Sequence, residues 1–252
     1  MSELILKAQA KVNLSLEIIN KRSDGYHNLR SLMHEIPLCD TLFISEDDKI
    51  SIKCNIPLPE NNTAFRAASL YGEACRRAIG ANIIIEKHIP SEAGFGGGSA
   101  DAAAVLKALQ KIYGFLDEKE LYSVAAKVGA DVPFCLMGGA AIATGIGDIL
   151  EPVPYFDMHI GFEKPDIGIS TARLFSMYRK AEDNNSFYFD SLLKSYLDKN
   201  VFSVAMYLYN ELEPFAMRIC PKIEDKKRLL IEKGAINASM TGSGSAVFGI
   251  FK

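Results

Sequence analysis

Apolar side chains fall on every second position in residues 10–17: Ala10, Val12, Leu14 and Leu16, with Lys11, Asn13, Ser15 and Glu17 between them. A period of two predicts a strand. It buries Val12, Leu14 and Leu16 on one face and presents Lys11, Asn13 and Ser15 together on the other. Asp24 and Gly25 mark a turn. Short strand-like runs follow at 41–45 and 49–54, then a Pro/Asn-rich loop over 55–62. That loop leads into a helix expected to run to about Ile79 and to stop at Gly80. Ile83, Ile84 and Ile85 read as a buried strand.

The clearest helical pattern comes next. Ala102, Val105, Leu106, Leu109, Ile112 and Tyr113 recur at spacings of three and four, with Lys107, Gln110 and Lys111 off the stripe. Ser99 is the expected N-cap. A helix is predicted over 118–127 and a strand over 140–143. After Pro152, Val153 and Pro154 the pattern starts afresh. It predicts a strand at 158–162, helices within 170–233, and a strand pair at 236–240 and 246–251. Strands and helices mix without a regular βαβ rhythm, so the fold class expected is α+β. The Pro-flanked stretch is the expected boundary, giving domains 1–153 and 154–252.

Four segments could carry chemistry. Residues 89–101 run from a strand end through Gly94, Gly96, Gly97 and Gly98 to Ser99 at a helix start. Glycine permits close backbone approach and left-handed conformations. Exposed N–H groups and the helix dipole then suit a phosphate. The same loop could be a tight, unliganded connection. It is neither a Walker A loop nor a dinucleotide fingerprint, because GxxxxGK[ST] and the full GxGxxG context are both absent. Asp131, before Val132 and Pro133, is first an N-cap with proline in the first turn. It could act as a base if it faces a phosphate. Tyr26 and His27, after the turn, could be ordinary surface residues or a platform for a planar base. The glycine-rich stretch 240–245 reads as a hairpin or as a second loop over phosphates.

Composition narrows the class. Of 252 residues, 48% are hydrophobic and 23% charged, enough to build a real core. The net charge of −3 argues against a nucleic-acid coat or a polybasic membrane binder. The five cysteines are widely spaced without a CxxC pair, and the four histidines form no ligand spacing. Reduced thiols in the cytoplasm are expected, and a metal held by His and Cys is not. No apolar run approaches the ~18 residues that span a bilayer. The charged start, with Glu3, Lys7 and Lys11, is expected to be neither a signal nor a transit peptide.

Taken in order, AKVNLSLEI, DGYHNLRSL, IPSEAGFGGGSADAAAVL, GADVPFCLMGGAAIATGIGDIL and MTGSGSAVFGIF resemble the GHMP kinase superfamily over nearly the whole chain. The AKVNL start, the DGYH turn and the GADVPF segment resemble its branch in the non-mevalonate isoprenoid pathway. The resemblance implies an N-terminal domain like ribosomal protein S5 domain 2 and a ferredoxin-like C-terminal domain. It implies transfer of the γ-phosphate of ATP, with Mg2+, to the 2-hydroxyl of a substrate carrying a cytidine diphosphate group.

Asp131 matches the family's catalytic Asp and Lys11 its partner. Asn13, Tyr26, His27, Thr171 and Phe175 match substrate positions, with Tyr26 and Phe175 on the two faces of the cytosine. Gly94, Gly96, Gly97, Gly98 and Ser99 match the ATP phosphate loop, and Asn62 and Lys87 match positions near the adenine. For Asn62 and Lys87 a helix cap and a solvated strand end are the other readings. The expected protein is a cytoplasmic monomer or weak homodimer without nucleic-acid or membrane partners.

Two residues depart from the family pattern. Phe95 replaces a leucine, and Ala100 stands where a second serine, associated with Mg2+, is usual. Ser99 or water is left to supply that oxygen. Mevalonate, homoserine or sugar kinases give no reason for a base platform. A nucleotide-binding regulator without turnover gives none for keeping Lys11 and Asp131.

Overall fold

The computed structural model describes residues 3–178 and 186–252. In chain order it contains β1 (Leu4–Asn13), β2 (Ser15–Lys21), β3 (His27–Glu46), β4 (Ile50–Cys54), α1 (Thr63–Cys75), β5 (Ala81–Glu86), α2 (Gly97–Tyr113), α3 (Glu118–Val128), α4 (Val132–Met137), β6 (Ala140–Thr144) and β7 (Ile149–Pro152). Then come β8 (Ile160–Glu163), α5 (Thr171–Met177), α6 (Ser186–Leu197), α7 (Val201–Met206), β9 (Tyr209–Asn210), α8 (Glu213–Ile219), α9 (Lys222–Glu232), β10 (Asn237–Met240) and β11 (Val247–Ile250).

The chain forms two compact units that interleave in sequence. The first takes the residues up to Ala10, Glu35–Pro90 and Gly96–Gly138. The second takes Lys11–His34, Ser91–Phe95 and the chain from Gly139 onward. The expected division at 153/154 falls inside the second unit.

In the first unit, β3 pairs antiparallel with β5, Leu42 opposite Ile85, and β5 pairs parallel with β4, Ile52 opposite Ile83. Leu42, Ile44, Ile83 and Ile85 are buried on this sheet. Packed on α1, α4 and α3, α2 buries Ala102, Val105, Leu106, Ala108 and Leu109. Its alanines let the neighbouring helices approach closely, and burial of this apolar stripe, more than propensity, holds a helix of this length. Gly114, left-handed, ends it by returning its N–H to the Gln110 carbonyl. Asp117 and Glu120 form a capping box at the start of α3.

In the second unit, the early part of β3 pairs antiparallel with β2, Ile18 opposite Leu29, and with β6, Leu32 opposite Ile142. β2 pairs parallel with the short β9. β10, β11 and β8 form a separate antiparallel sheet, with Phe248 opposite Phe162. Leu16, Ile18, Leu174, Leu212, Met240 and Val247 share one core.

The predicted α+β mixture is observed, with local corrections. The strand read over 10–17 is broken at Leu14, and Lys11, Asn13 and Ser15 are as buried as the apolar face. Hydrogen bonds rather than water satisfy them. α1 ends at Cys75 instead of about Ile79, because Arg76 turns left-handed (φ 51°) and its N–H caps Glu73 and Gly72. Ser99 is not the cap of α2; Gly96 is, at φ 72°, and Ser99 is already inside the first turn. β7 and β9 were not expected, and β3 is far longer than its predicted 41–45 core. The part of the 170–233 helical expectation that falls on 179–185 lies outside the described residues.

Candidate active site

In the first unit, β5 leads through Lys87 into the glycine loop and out into α2. Gly97 and Gly98 open the helix, so their N–H groups belong to the turn that lacks intrahelical partners. Thr63 steadies this turn by donating its hydroxyl to the Gly98 carbonyl at 2.6 Å. A Cβ on Gly98 would lie 3.0 Å from that hydroxyl oxygen. Asn62 caps α1, its Oδ1 accepting from Phe65 N at 3.0 Å, and also lines a 290 Å³ depression with Ile52, Ile56, Leu58, Pro59 and Phe65. The helix-cap reading of Asn62 therefore holds, beside a recess of mixed lining to which Glu60 and Cys54 also contribute.

Lys87 is not solvated. Its side chain is 6% exposed, and its ammonium is bound by Asp40 and by Asp101 at 2.8 Å. Burial opposes the ammonium charge, but Asp101 and Asp40 outweigh it and raise the Lys87 pKa. Asp131 occupies the N-cap position of α4, half-buried, with Pro133 in the first turn. Its carboxylate makes no capping bond to the helix.

In the second unit, Lys11 is 3% exposed and donates to Asn13 Oδ1 at 2.7 Å. Asn13 Nδ2 donates to Ser31 Oγ at 2.8 Å, and Asn13 N donates to Thr241 Oγ1 at 3.1 Å. Lys11 N also donates to the Phe95 carbonyl at 3.0 Å. Phe95, in place of the family's leucine, is buried and meets Phe162 edge-on at 5.2 Å.

Gly94 is left-handed (φ 82°), and a Cβ there would lie 2.1 Å from the Thr241 carbonyl oxygen, so only glycine fits. The 240–245 loop is thus packed on the start of the glycine loop. Asn210 fixes it further, donating to the carbonyls of Met240 and Gly242 at 2.9 and 2.8 Å. Thr171 shares a 2.7 Å hydrogen bond with Ser243 Oγ.

His27 lies 5.3 Å from Phe175, centroid to centroid, and meets Tyr178 edge-on at 6.0 Å. Burial, then the Lys21 charge, lowers the His27 pKa and so favours the neutral ring. Tyr26 is 62% exposed.

The second unit thus brings Lys11 together with Asn13, His27 with Phe175, and Thr171 with the 240–245 loop. Gly96, Gly97, Gly98, Ser99, Asn62, Lys87 and Asp131 belong to the first. Sequence reading missed Asp40, Asp101, Ser31, Thr241 and Asn210 as supports. Only Asp101 and Thr241 carried a signal, each lying at the edge of a glycine-rich segment. Among the described residues no three His, Cys, Asp or Glu side chains are grouped to hold a metal. No described helix is long and apolar enough to cross a membrane.

A glycine-rich loop opening a helix supplies the N–H groups and dipole that a phosphate-binding protein uses. The GHMP kinases N terminal domain model matches residues 62–139, and the GHMP kinases C terminal model matches 193–252. The 4-diphosphocytidyl-2-C-methyl-D-erythritol kinase of Alkaliphilus metalliredigens is 39% identical, over 100% of this chain and 89% of its own. The enzyme of the same name from Acetivibrio thermocellus is 40% identical, over 100% and 91%. A crystal structure of 4-(cytidine 5'-diphospho)-2C-methyl-D-erythritol kinase superposes with a TM-score of 0.82 at 34% identity, over 98% of this chain and 90% of that one. The chain belongs to the GHMP kinase family, on the branch of these 4-diphosphocytidyl-2-C-methyl-D-erythritol kinases.

Proposed function

We propose that the protein transfers the γ-phosphoryl group of ATP to the 2-hydroxyl of 4-diphosphocytidyl-2-C-methyl-D-erythritol, in the non-mevalonate route to isoprenoids. The relatives carry that substrate in their names. The observation that carries the reading to this chain is the His27–Phe175–Tyr178 ring cluster. A cytosine needs such a platform, whereas mevalonate or homoserine has no planar base to place on it.

Phosphoryl transfer needs positioning and charge stabilisation more than covalent chemistry. In this reading Gly94, Gly96, Gly97, Gly98 and Ser99 hold the triphosphate. Asn62 and its depression take the adenine, and Lys87 acts on the nucleotide only through the loop that it holds. Asn13 and Thr171 orient the alcohol, while Tyr26, His27 and Phe175 hold the cytosine. Asp131 accepts the hydroxyl proton. Lys11, aimed by Asn13, stabilises the ionised carboxylate and the charge of the transferring group.

Mg2+, when bound, neutralises triphosphate charge. It typically keeps several waters and binds through one or two carboxylates together with substrate phosphates. Ser99 is the protein oxygen offered to it. In this reading the enzyme is cytoplasmic, with its five cysteines as free thiols.

The test is a product assay with ATP, Mg2+ and a panel of alcohols, reading the phosphorylated position by phosphorus NMR. Phosphate on the 2-hydroxyl of the cytidine-linked substrate is expected. Phosphorylation of mevalonate or homoserine instead overturns the assignment.

A further inference from the structure

Three charged side chains are buried beneath the glycine loop of the first unit. Asp40 is 0% exposed, Asp101 4% and the Lys87 side chain 6%. Lys87 bridges the two carboxylates. The other Asp40 oxygen accepts from His88 N and from Ile89 N, the latter at 2.8 Å. Those residues lead into the loop. Asp101 stands on α2, which leads out of it. A Cβ on Gly97 would lie 2.9 Å from Ile89 Cγ2 and 3.3 Å from Lys87 Nζ, so the cluster sits directly against the first helical turn.

Asp101 Oδ1 is buried without a hydrogen-bond partner. Burial, with the Asp40 charge adding to it, raises the Asp101 pKa to about 7 against the pull of Lys87. A buried cluster of this kind is weak ground for stability and better ground for a fixed geometry. Its bonds go to the two ends of one loop.

We propose that the Lys87–Asp40–Asp101 cluster is a positioning clamp that holds residues 87–89 and 97–101 in the arrangement that receives a triphosphate. The proposal rests on the phosphate-loop reading above and adds residues to it that touch the loop, not the nucleotide. It assigns the Lys87 ammonium to the loop rather than to the adenine.

The test uses the isosteric variants Asp101→Asn and Asp40→Asn in the full chain. Inorganic tripolyphosphate, which has no base or ribose, serves as inhibitor. The KM for ATP and the Ki for tripolyphosphate are expected to rise together, by about ten- to a hundredfold, as for a misplaced binding group. The KM of the alcohol should stay unchanged, and kcat should recover at saturating ATP. Hydrogen exchange without nucleotide should quicken at residues 94–99 and stay as in the wild type at 102–113.

Loss of ATP binding without loss of tripolyphosphate binding overturns the clamp and makes the cluster a reader of the base. Unchanged constants, unchanged loop exchange, or faster exchange throughout the unit also overturn it. A wild-type protein that tripolyphosphate does not inhibit sinks the phosphate-loop reading instead. In that case loop exchange in the variants still decides whether the cluster holds the loop.

Discussion

His27 and Phe175 meet ring to ring, 5.3 Å between centroids and 30° between planes. They come from different elements, the first residue of β3 and the middle of α5. Tyr178 closes the cluster edge-on, and its hydroxyl donates to Glu211 Oε2 at 2.7 Å. A neutral imidazole has one donor and one acceptor nitrogen. Cytosine offers both kinds of group on its edge. His27 can therefore read the base, and the aromatic faces around it can stack it.

Tyr26 tests this arrangement at little structural cost, because its side chain is largely exposed. Base stacking on an aromatic residue is worth ~1–3 kcal/mol by alanine substitution. Tyr26→Ala should weaken binding of the cytidine-linked substrate by roughly ten- to a hundredfold. The ATP constant and the unfolding midpoint should hardly move. Equal weakening of both ligands would point to damaged folding and count against the stacking role.

The elements of this site were legible in the sequence where a local pattern exists. The α2 stripe from Ala102 to Tyr113, and Ile83 and Ile85 on β5, show their period directly. Lys11 and Asn13 were rightly placed on one face, but their burial was not visible. It depends on Ser31 and Thr241, the latter more than two hundred residues away. Residues 27–40 were unreadable as a strand for a related reason. Asn28, Arg30, Ser31, His34 and Asp40 break the apolar alternation, and tertiary partners such as Glu17 for Arg30 and Tyr196 for His34 satisfy them. Lys87 looked like a solvated strand end because its partners, Asp40 and Asp101, are distant in sequence.

Ser99 and Ala100 separate a metal role from a capping role. Gly96 caps α2, so Ser99→Ala should leave stability nearly unchanged rather than cost the ~1 kcal/mol of a lost cap. If Ser99 supplies an oxygen to Mg2+, the same variant should need more Mg2+ for half-maximal rate. Ala100 is 2% exposed, and its N–H already bonds to the Gly96 carbonyl. A serine there can turn its hydroxyl onto that carbonyl and should cost little. Its rate should equal or modestly exceed that of the wild type. An unmoved Mg2+ dependence in Ser99→Ala leaves the metal to ATP and water.

His34 should make the protein sensitive to acid. The ring is 1% exposed, stacks on Tyr155 at 4.8 Å, and pairs its Nδ1 with the Tyr196 hydroxyl at 2.9 Å. Burial, opposed by Asp157, lowers its pKa to about 4. The unfolded chain takes up that proton near pH ~6.5 and the folded chain only near its own lower value. Stability is therefore complete above pH ~6.5, falls as the pH drops toward 4, and levels off below. At pH 5 the loss from this one group is about 2 kcal/mol. Denaturant unfolding at pH 7 and pH 5 should show the wild type losing about that much more than His34→Gln. Equal losses in the two proteins would mean that His34 is not held neutral.

Asp131→Asn is the most direct test of the chemistry. Asp131 holds the N-cap position of α4, yet its carboxylate makes no capping bond, and asparagine caps about as well as aspartate. Stability should therefore change little. Asparagine cannot accept the proton of the attacking hydroxyl, so a base role costs roughly 10²–10⁴-fold in turnover. The expected variant is folded, binds ATP and the cytidine-linked substrate, and scarcely reacts. Lys11→Ala should also slow turnover, and Asn13→Ala should slow it and raise the KM of the alcohol, since in this reading Asn13 both aims the ammonium and orients the alcohol. Combined with Asp131→Asn, Lys11→Ala should add much less than its separate effect, because groups that act as one unit are lost together. A soluble Asp131→Asn protein with near-normal turnover would remove Asp131 from the reaction and leave it a residue at a helix start.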